Sequence, residues 1–152
     1  MSSASRCDLT IEPDASGIIH ASCVFMAGLA VLIVGPSGSG KSGLALQLMA
    51  IGAQLVCDDR VMVRSDGDSA VAGPAPNIAG LIEARGIGVL AADTHPGGPV
   101  GLVVDMGHVE TDRLPPQRHA LVAGHFVPLV HKVEGCHFQA AIAQYISGGR
   151  TA

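Results

Sequence analysis

Apolar residues fall in short continuous or alternating runs along most of the chain, and few stretches repeat them at helical spacing. Ala30-Val-Leu-Ile-Val34 is a continuous apolar run of buried-strand length. A strand is predicted from Leu29 to Val34, after one from Ile18 to Phe25 that contains His20. Met26-Ala-Gly28 between them reads as a tight turn, so the two form a hairpin. Leu44, Ala45 and Leu48 follow at helical spacing, and Gly52 is placed to end that helix. Gln54-Leu-Val-Cys-Asp-Asp59 predicts a short apolar strand that ends in two carboxylates.

Downstream, Val61-Met-Val63 and Ala70-Val-Ala72 flank Ser65-Asp-Gly-Asp68, a hairpin turn. Gly73-Pro-Ala-Pro76 predicts a rigid loop, residues 77–82 a short helix, and Ile87 to Leu90 a further apolar segment. The stretch from Asp93 to Pro99 carries Pro and Gly and is expected to be a mobile loop. Val100 to Met106 predicts a strand, and Arg113-Leu-Pro-Pro116 an irregular segment. Phe126 to Val133 reads as a strand that Pro128 confines to an edge or a bend. Cys136 to Ile146 has helical apolar spacing at Ala140, Ala141 and Tyr145 and ends at Gly148-Gly149. Many short strands with few helices point to a compact α/β fold with a mixed sheet rather than a long alternating array. No repeat or linker divides the chain. The expected organisation is a short N-terminal segment, 1–17, and a single domain, 18–148.

The chemistry begins where the strand ending at Val34 meets the helix. Gly35, Pro36, Ser37, Gly38, Ser39, Gly40, Lys41 and Ser42 fit G-x-x-x-x-G-K-[ST], the phosphate-binding P-loop, in the strand–loop–helix context that motif requires. Backbone N–H groups and the positive helix end can there surround a polyphosphate. Lys41 is expected to reach the β- and γ-phosphates, and the Ser42 hydroxyl to bind Mg²⁺. Asp58 and Asp59 stand at a strand end, where ligands bind in open α/β sheets. P-loop enzymes place such an Asp near Mg²⁺. One of the pair would serve the metal and the other accept a proton from an acceptor hydroxyl. His20 is expected beside the P-loop strand, within reach of Asp58. Glu83 offers a metal ligand and Arg85 a planar fork for phosphate, but as an isolated pair they read first as a surface ion pair.

Composition narrows the class. Charged residues make up 14% and hydrophobic ones 48% of the 152, which excludes disorder. Aromatics are 3% with no Trp, so the core must be aliphatic. A net charge of −4 without a basic cluster argues against nucleic acid. The four cysteines, Cys7, Cys23, Cys57 and Cys136, are scattered with no C-x-x-C, so no zinc site is expected. His95, His108, His119, His125, His131 and His137 lack metal-ligand spacing and read as surface or core residues. There is no secretory signal and no apolar run of membrane length, so no membrane partner and a cytoplasmic location are expected.

Taken in order, His20-Ala-Ser-Cys-Val24, the P-loop into Gly43-Leu-Ala-Leu46, Leu55-Val-Cys-Asp-Asp59, Gly73-Pro-Ala-Pro76 and Ile82-Glu-Ala-Arg-Gly-Ile-Gly88 resemble the catalytic domain of the HPr kinase/phosphorylase family. The resemblance runs from about Ile18 to Leu90 and thins beyond. It implies an ATP- and Mg²⁺-dependent serine kinase acting on an HPr-like phosphocarrier of a phosphotransferase system, on the compact P-loop fold shared with phosphoenolpyruvate carboxykinase. It implies Asp58 as general base supported by His20, Asp59, Glu83 and Ser42 on the metal side, Lys41 on the phosphates, and Arg85 on phosphate or acceptor. It also implies a homo-oligomer, with the family hexamer as guide. The short lead-in resembles truncated proteobacterial members, for which net kinase activity with weak phosphorolysis is expected. A small-molecule phosphotransferase on the same fold and a nucleotide-binding regulatory module stay open beside this reading.

Overall fold

The computed structural model describes residues 7–76 and 80–152. Strands β1 (Leu9–Ile11) and β2 (Ile18–Ile19) precede β3 (Ser22–Met26) and β4 (Leu29–Val34). β3 and β4 form the expected antiparallel hairpin. At its turn Ala27 and Gly28 both adopt positive φ, 53° and 79°, as twist-matched two-residue hairpin turns require. Helix α1 (Lys41–Ala50) then crosses over to β5 (Gln54–Cys57). β5 pairs with β3, which therefore lies between the two strands flanking the helix. Because β3 runs antiparallel to both, β4 and β5 point the same way and their carboxyl ends share one sheet edge. That edge carries the candidate site.

The stop at Gly52 is real. Gly52 takes φ 115°, its N–H donates to Met49 O at 3.2 Å, and Ala53 N–H donates to Leu48 O at 3.0 Å. These two bonds satisfy carbonyls that the helix end leaves open, and they need the left-handed residue that glycine supplies.

β6 (Val61–Asp66) and β7 (Ser69–Pro74) form the hairpin expected around Gly67. β8 (Leu81–Ala84) and β9 (Gly88–Ala91) make a separate two-stranded sheet. β10 (Gly98–Val109), β11 (Arg118–Val122), β12 (His125–Lys132) and helix α2 (Phe138–Gly148) complete the chain. The main sheet runs β1-β11-β12-β10-β4-β3-β5, with β10 parallel to β4. The first residues of β10 also pair with β7, and β7–β6–β2 forms a second layer.

Alternation along the strands divides the core between two faces. Val24, Val31, Ile33, Leu102 and Val104 lie under Leu44, Ala45 and Leu48 of α1 and Phe138, Ile142 and Ile146 of α2. Cys23, Ala30, Leu32 and Val103 face the other way, against Val61, Val63, Ala70 and Ala72. The result is a helical layer, the main sheet and a β-layer, with each buried Val or Leu contributing about 1.5–3 kcal/mol. The core is aliphatic, as the lack of aromatics requires.

Several expectations are corrected. Ile18 to Phe25 is not one strand, because β2 pairs with β6 in the second layer while β3 joins the main sheet. The chain changes layers at His20-Ala21. Leu81 and Ile82 belong to strand β8, not to a helix, and the remainder of that expected helix, residues 77–79, lies outside the described residues. The 93–99 stretch is tied down. Leu55 N–H donates to Asp93 O at 3.1 Å, His95 N–H donates to Leu55 O at 2.9 Å, and the His95 ring stacks on Phe25 at 3.7 Å. β12 is interior, between β11 and β10. Pro128 is tolerated there because its ladder with β10 begins only at Leu129. α2 buries Phe138, Ile142 and Ile146 rather than the face through Ala140, Ala141 and Tyr145. Apart from these corrections, β1 pairs with β11, Leu9 opposite Ala120.

Candidate active site

The P-loop leaves β4 at Gly35 and enters α1 at Lys41. Gly35, Gly38 and Gly40 adopt φ of 143°, 82° and 101°, values that side chains rarely allow. A Cβ on Gly35 would lie 2.8 Å from Ser39 Oγ and 3.1 Å from the Gly107 nitrogen, so the loop also packs hard against β10. Lys41 Nζ donates to the carbonyls of Gly35 at 2.8 Å and Pro36 at 3.1 Å, which closes the loop on itself. Lys132 Nζ reaches Ser39 O from β12 at 3.4 Å.

This cradle fits a triphosphate on its own chemistry. Gly40 caps α1 without a side-chain hydrogen bond, so the N–H groups of the first turn stay available to an anion. Among the described residues, Ser39 Oγ is buried in the loop without a hydrogen-bond partner. The lysine ammonium needs only to leave two carbonyls to meet a phosphate.

The strand-end carboxylate comes to the same place. Ser42 Oγ donates to Asp58 Oδ1 at 2.8 Å and lies 3.0 Å from Oδ2. Ser22 Oγ donates to Asp58 Oδ1 at 2.6 Å, and Glu83 N–H donates to Oδ2 at 3.4 Å. The sheet order explains this meeting. The start of β3 and the ends of β4 and β5 share one edge, which brings together Ser22, the P-loop and Asp58. Asp59 follows with φ 71° and an exposed side chain. Glu83 and Arg85 arrive from the β8 end, where Ile82 and Ala84 are buried and the alternate residues face out.

One open cleft of about 490 Å³ gathers Ser37, Gly38, Gly40, Lys41, Ser42, Asp58, Asp59, Glu83 and Arg85. Its oxygen-rich side, Ser42, Asp58, Asp59 and Glu83, has the donor chemistry that Mg²⁺ prefers. The Ser42 hydroxyl keeps lone pairs for a metal while its hydrogen goes to Asp58.

His20 is the exception. It is exposed at the break between β2 and β3 and lines a different cleft, with Gly35, Pro36, Asp105 and His108. No hydrogen bond joins it to Asp58 among the described residues, and the expected support comes instead from Ser22. Ser22 is fully buried, and sequence reasoning missed it. A lone Ser in an apolar run carries no chemical signal. Only its place at the start of a strand antiparallel to β4 could have pointed to it.

The family model described as "HPr Serine kinase C-terminal domain" matches residues 14–99. The HPr kinase/phosphorylase of Caldanaerobacter subterraneus is 46% identical over 77 residues, covering 50% of this chain and 25% of that protein. That of Limosilactobacillus reuteri is 39% identical over 101 residues, covering 61% of this chain and 31% of that protein. The chain thus spans about a quarter to a third of the length of these curated relatives. The solved structure of the Hpr(Ser) kinase/phosphatase from Coxiella burnetii superposes with a TM-score of 0.71 at 22% identity, over 85% of this chain and 87% of that one. The two share a fold.

Proposed function

The chain belongs to the HPr serine kinase C-terminal domain family, and we propose that its cleft binds ATP with Mg²⁺ and transfers the γ-phosphoryl group to a serine of an HPr-like phosphocarrier protein. The observation that carries this reading is the bond between Ser42 Oγ and both Asp58 oxygens. It places a positioned carboxylate against the phosphate cradle, where transfer to a hydroxyl needs a proton acceptor.

In this reading the P-loop amides and Lys41 hold the triphosphate. Ser42, Asp59 and Glu83 would hold Mg²⁺, which would supply charge neutralisation to the triphosphate. Asp58, oriented by Ser22 and Ser42, accepts the proton of the acceptor serine as its oxygen attacks phosphorus and ADP leaves. Arg85 is free in the cleft to orient phosphate or acceptor. His20 would join only once the substrates are in place.

A protein acceptor is favoured over a small molecule by the surface beside the cleft. Leu81, Ile87, Val89 and Leu90 are exposed on the β8–β9 hairpin that also carries Glu83 and Arg85. Such an apolar patch marks an interaction surface. No helix among the described residues is long and apolar enough to cross a membrane.

The test is transfer of label from γ-labelled ATP, with Mg²⁺, to purified HPr-type carriers. Phosphoserine on a carrier, lost with Asp58→Asn, is the expected result. Nucleotide binding without transfer to any carrier would reduce the chain to a regulatory module. Transfer to a small molecule alone would make it a small-molecule phosphotransferase.

A further inference from the structure

Away from the nucleotide cleft, β10 and β12 bring together three side chains that lie far apart in sequence. Asp105 stands opposite His131 in the parallel ladder between the two strands. The register then slips between Asp105 and Val109, and in that irregular stretch His108 turns back over Asp105. His108 Nδ1 lies 2.7 Å from Asp105 Oδ2, and the His108 and His131 rings stack with centroids 5.4 Å apart. One carboxylate oxygen and one nitrogen from each ring all fall within 4.8 Å of one another.

The surroundings are those of a built site. The Asp105 side chain is only 8% exposed, whereas that of His108 is 69% exposed. The carboxylate is therefore fixed in the sheet and the cluster is open on one side. Gly107 N–H donates to Asp105 Oδ1 at 2.8 Å, which orients the carboxylate and leaves Oδ2 toward the rings. The Nδ1 edge of His131 faces Glu110 Oε1 at 3.9 Å, and Glu110 is itself paired with Arg118.

We propose that Asp105, His108 and His131 form a binding site for a divalent transition-metal ion of the Zn²⁺ type, separate from the Mg²⁺ of the nucleotide cleft. Two imidazoles and one carboxylate suit Zn²⁺, Co²⁺, Ni²⁺ or Cu²⁺, whereas Mg²⁺ and Ca²⁺ select all-oxygen sites. Three protein ligands leave a coordination position open on the exposed His108 side. Asp105 and His108 line the cleft on the His20 side of the P-loop, His131 lines the neighbouring pocket with Glu110 and Arg118, and none of the three lines the cleft that holds Lys41 and Asp58. The site also touches the loop. A Cβ on Gly107, between two of the ligands, would lie 3.0 Å from Pro36 Cδ.

Co²⁺ titration of the whole chain without nucleotide tests the site, because tetrahedral Co²⁺ with nitrogen and oxygen ligands absorbs in the visible. The expected result is a single equivalent with such bands, displaced by Zn²⁺. His108→Ala should weaken it at least about tenfold, since even outer-shell changes cost that much. His108 is exposed, so this variant keeps its fold, which circular dichroism confirms. Lys41→Ala, on the nucleotide side, should bind Co²⁺ like the wild type. Equal affinity in His108→Ala and wild type would overturn the proposal. So would intense thiolate-to-cobalt absorption, which would assign the ion to exposed Cys7 or Cys136, or a spectrum unchanged by added metal. None of these readouts depends on kinase activity.

Discussion

Ser42 and Asp58, one opening a helix and the other following a strand, are joined through a single hydroxyl that lies 2.8 and 3.0 Å from the two carboxylate oxygens. The bond exists because β3 is inserted between β4 and β5, which aligns the carboxyl ends of those two strands. Any function assigned to the cleft has to use this pair.

Asp58→Asn keeps the shape of the side chain but turns one acceptor oxygen into a donor group facing Ser42. Nucleotide affinity is expected to survive, while the transfer rate drops at least about a hundredfold, the scale of losing a general base. Asp59→Asn is expected instead to raise the Mg²⁺ concentration needed for half-maximal rate. Steady-state rates against Mg²⁺ for both variants check this. Exchanged phenotypes would assign the base to Asp59.

Among the described residues, Lys41 makes its hydrogen bonds to loop carbonyls. Lys41→Ala therefore removes a charge directed at phosphate and nothing from the core. Triphosphate binding by calorimetry should be lost, with the melting temperature changed little. Tight ATP binding by a folded Lys41→Ala chain would remove the nucleotide from this loop.

His20 and Ser22 separate two ways of supporting Asp58. Ser22 is buried and donates to Asp58 at 2.6 Å, so Ser22→Ala should lower both the rate and the stability. His20 is exposed, so His20→Ala should leave the melting temperature unchanged and lower only kcat. Catalytic contacts often form only in the substrate complex. An unchanged kcat in His20→Ala would take His20 out of the site.

The segments that could be read from sequence are those whose local pattern and tertiary role agree. Ala30 to Val34, Leu44 to Leu48 and Gly52 each announce an element, and the structure builds it there. The P-loop and Asp58-Asp59 were legible for the same reason, because each sits at the end of such an element. The break at His20 was hidden. Ile18 to Phe25 reads as one mostly apolar run, and only pairing shows that Ile19 is in a ladder with β6 while Cys23 is in one with β5. Strand β11 passed unseen because Arg118 to Val122 gains its strand character from neighbours β1 and β12. The Asp105–His108–His131 cluster was equally invisible, since a ladder register, not a spacing, makes it.

Gly97 marks the joint between the two β-layers. It has φ 94°, and a Cβ there would lie 2.0 Å from the Ala72 carbonyl oxygen, beside the Gly98–Ala72 pairing of β10 with β7. Overpacking costs about 1–3 kcal/mol, and a left-handed non-glycine residue adds about 1–2 kcal/mol. Gly97→Ala is expected to lose roughly 3 kcal/mol in urea unfolding. Gly28→Ala, with nothing within 4 Å of its added Cβ, should lose only the smaller strain part. Equal losses in the two variants would mean that β7 and β10 separate easily.

The cysteines give a pH dependence with a definite sign. Cys7 and Cys136 are exposed, Cys23 and Cys57 buried. Burial, reinforced by neighbouring Cys57, pushes the Cys23 thiol well above its ordinary 9.0, so it stays protonated in the folded chain. The unfolded chain releases that proton as the pH passes 9.0, whereas the folded chain does not. The native state then binds more protons than the unfolded state, and stability falls as the pH rises. Urea midpoints are expected to decline above pH 9.0 in the wild type and less steeply in Cys23→Ala. In the native protein a thiol-specific alkylating reagent should modify Cys7 and Cys136 quickly, and Cys23 and Cys57 only after unfolding. Rapid labelling of Cys23 at neutral pH would show that the hairpin between β3 and β4 opens, and Asp58 would then lack the rigid edge on which its contacts with Ser22 and Ser42 depend.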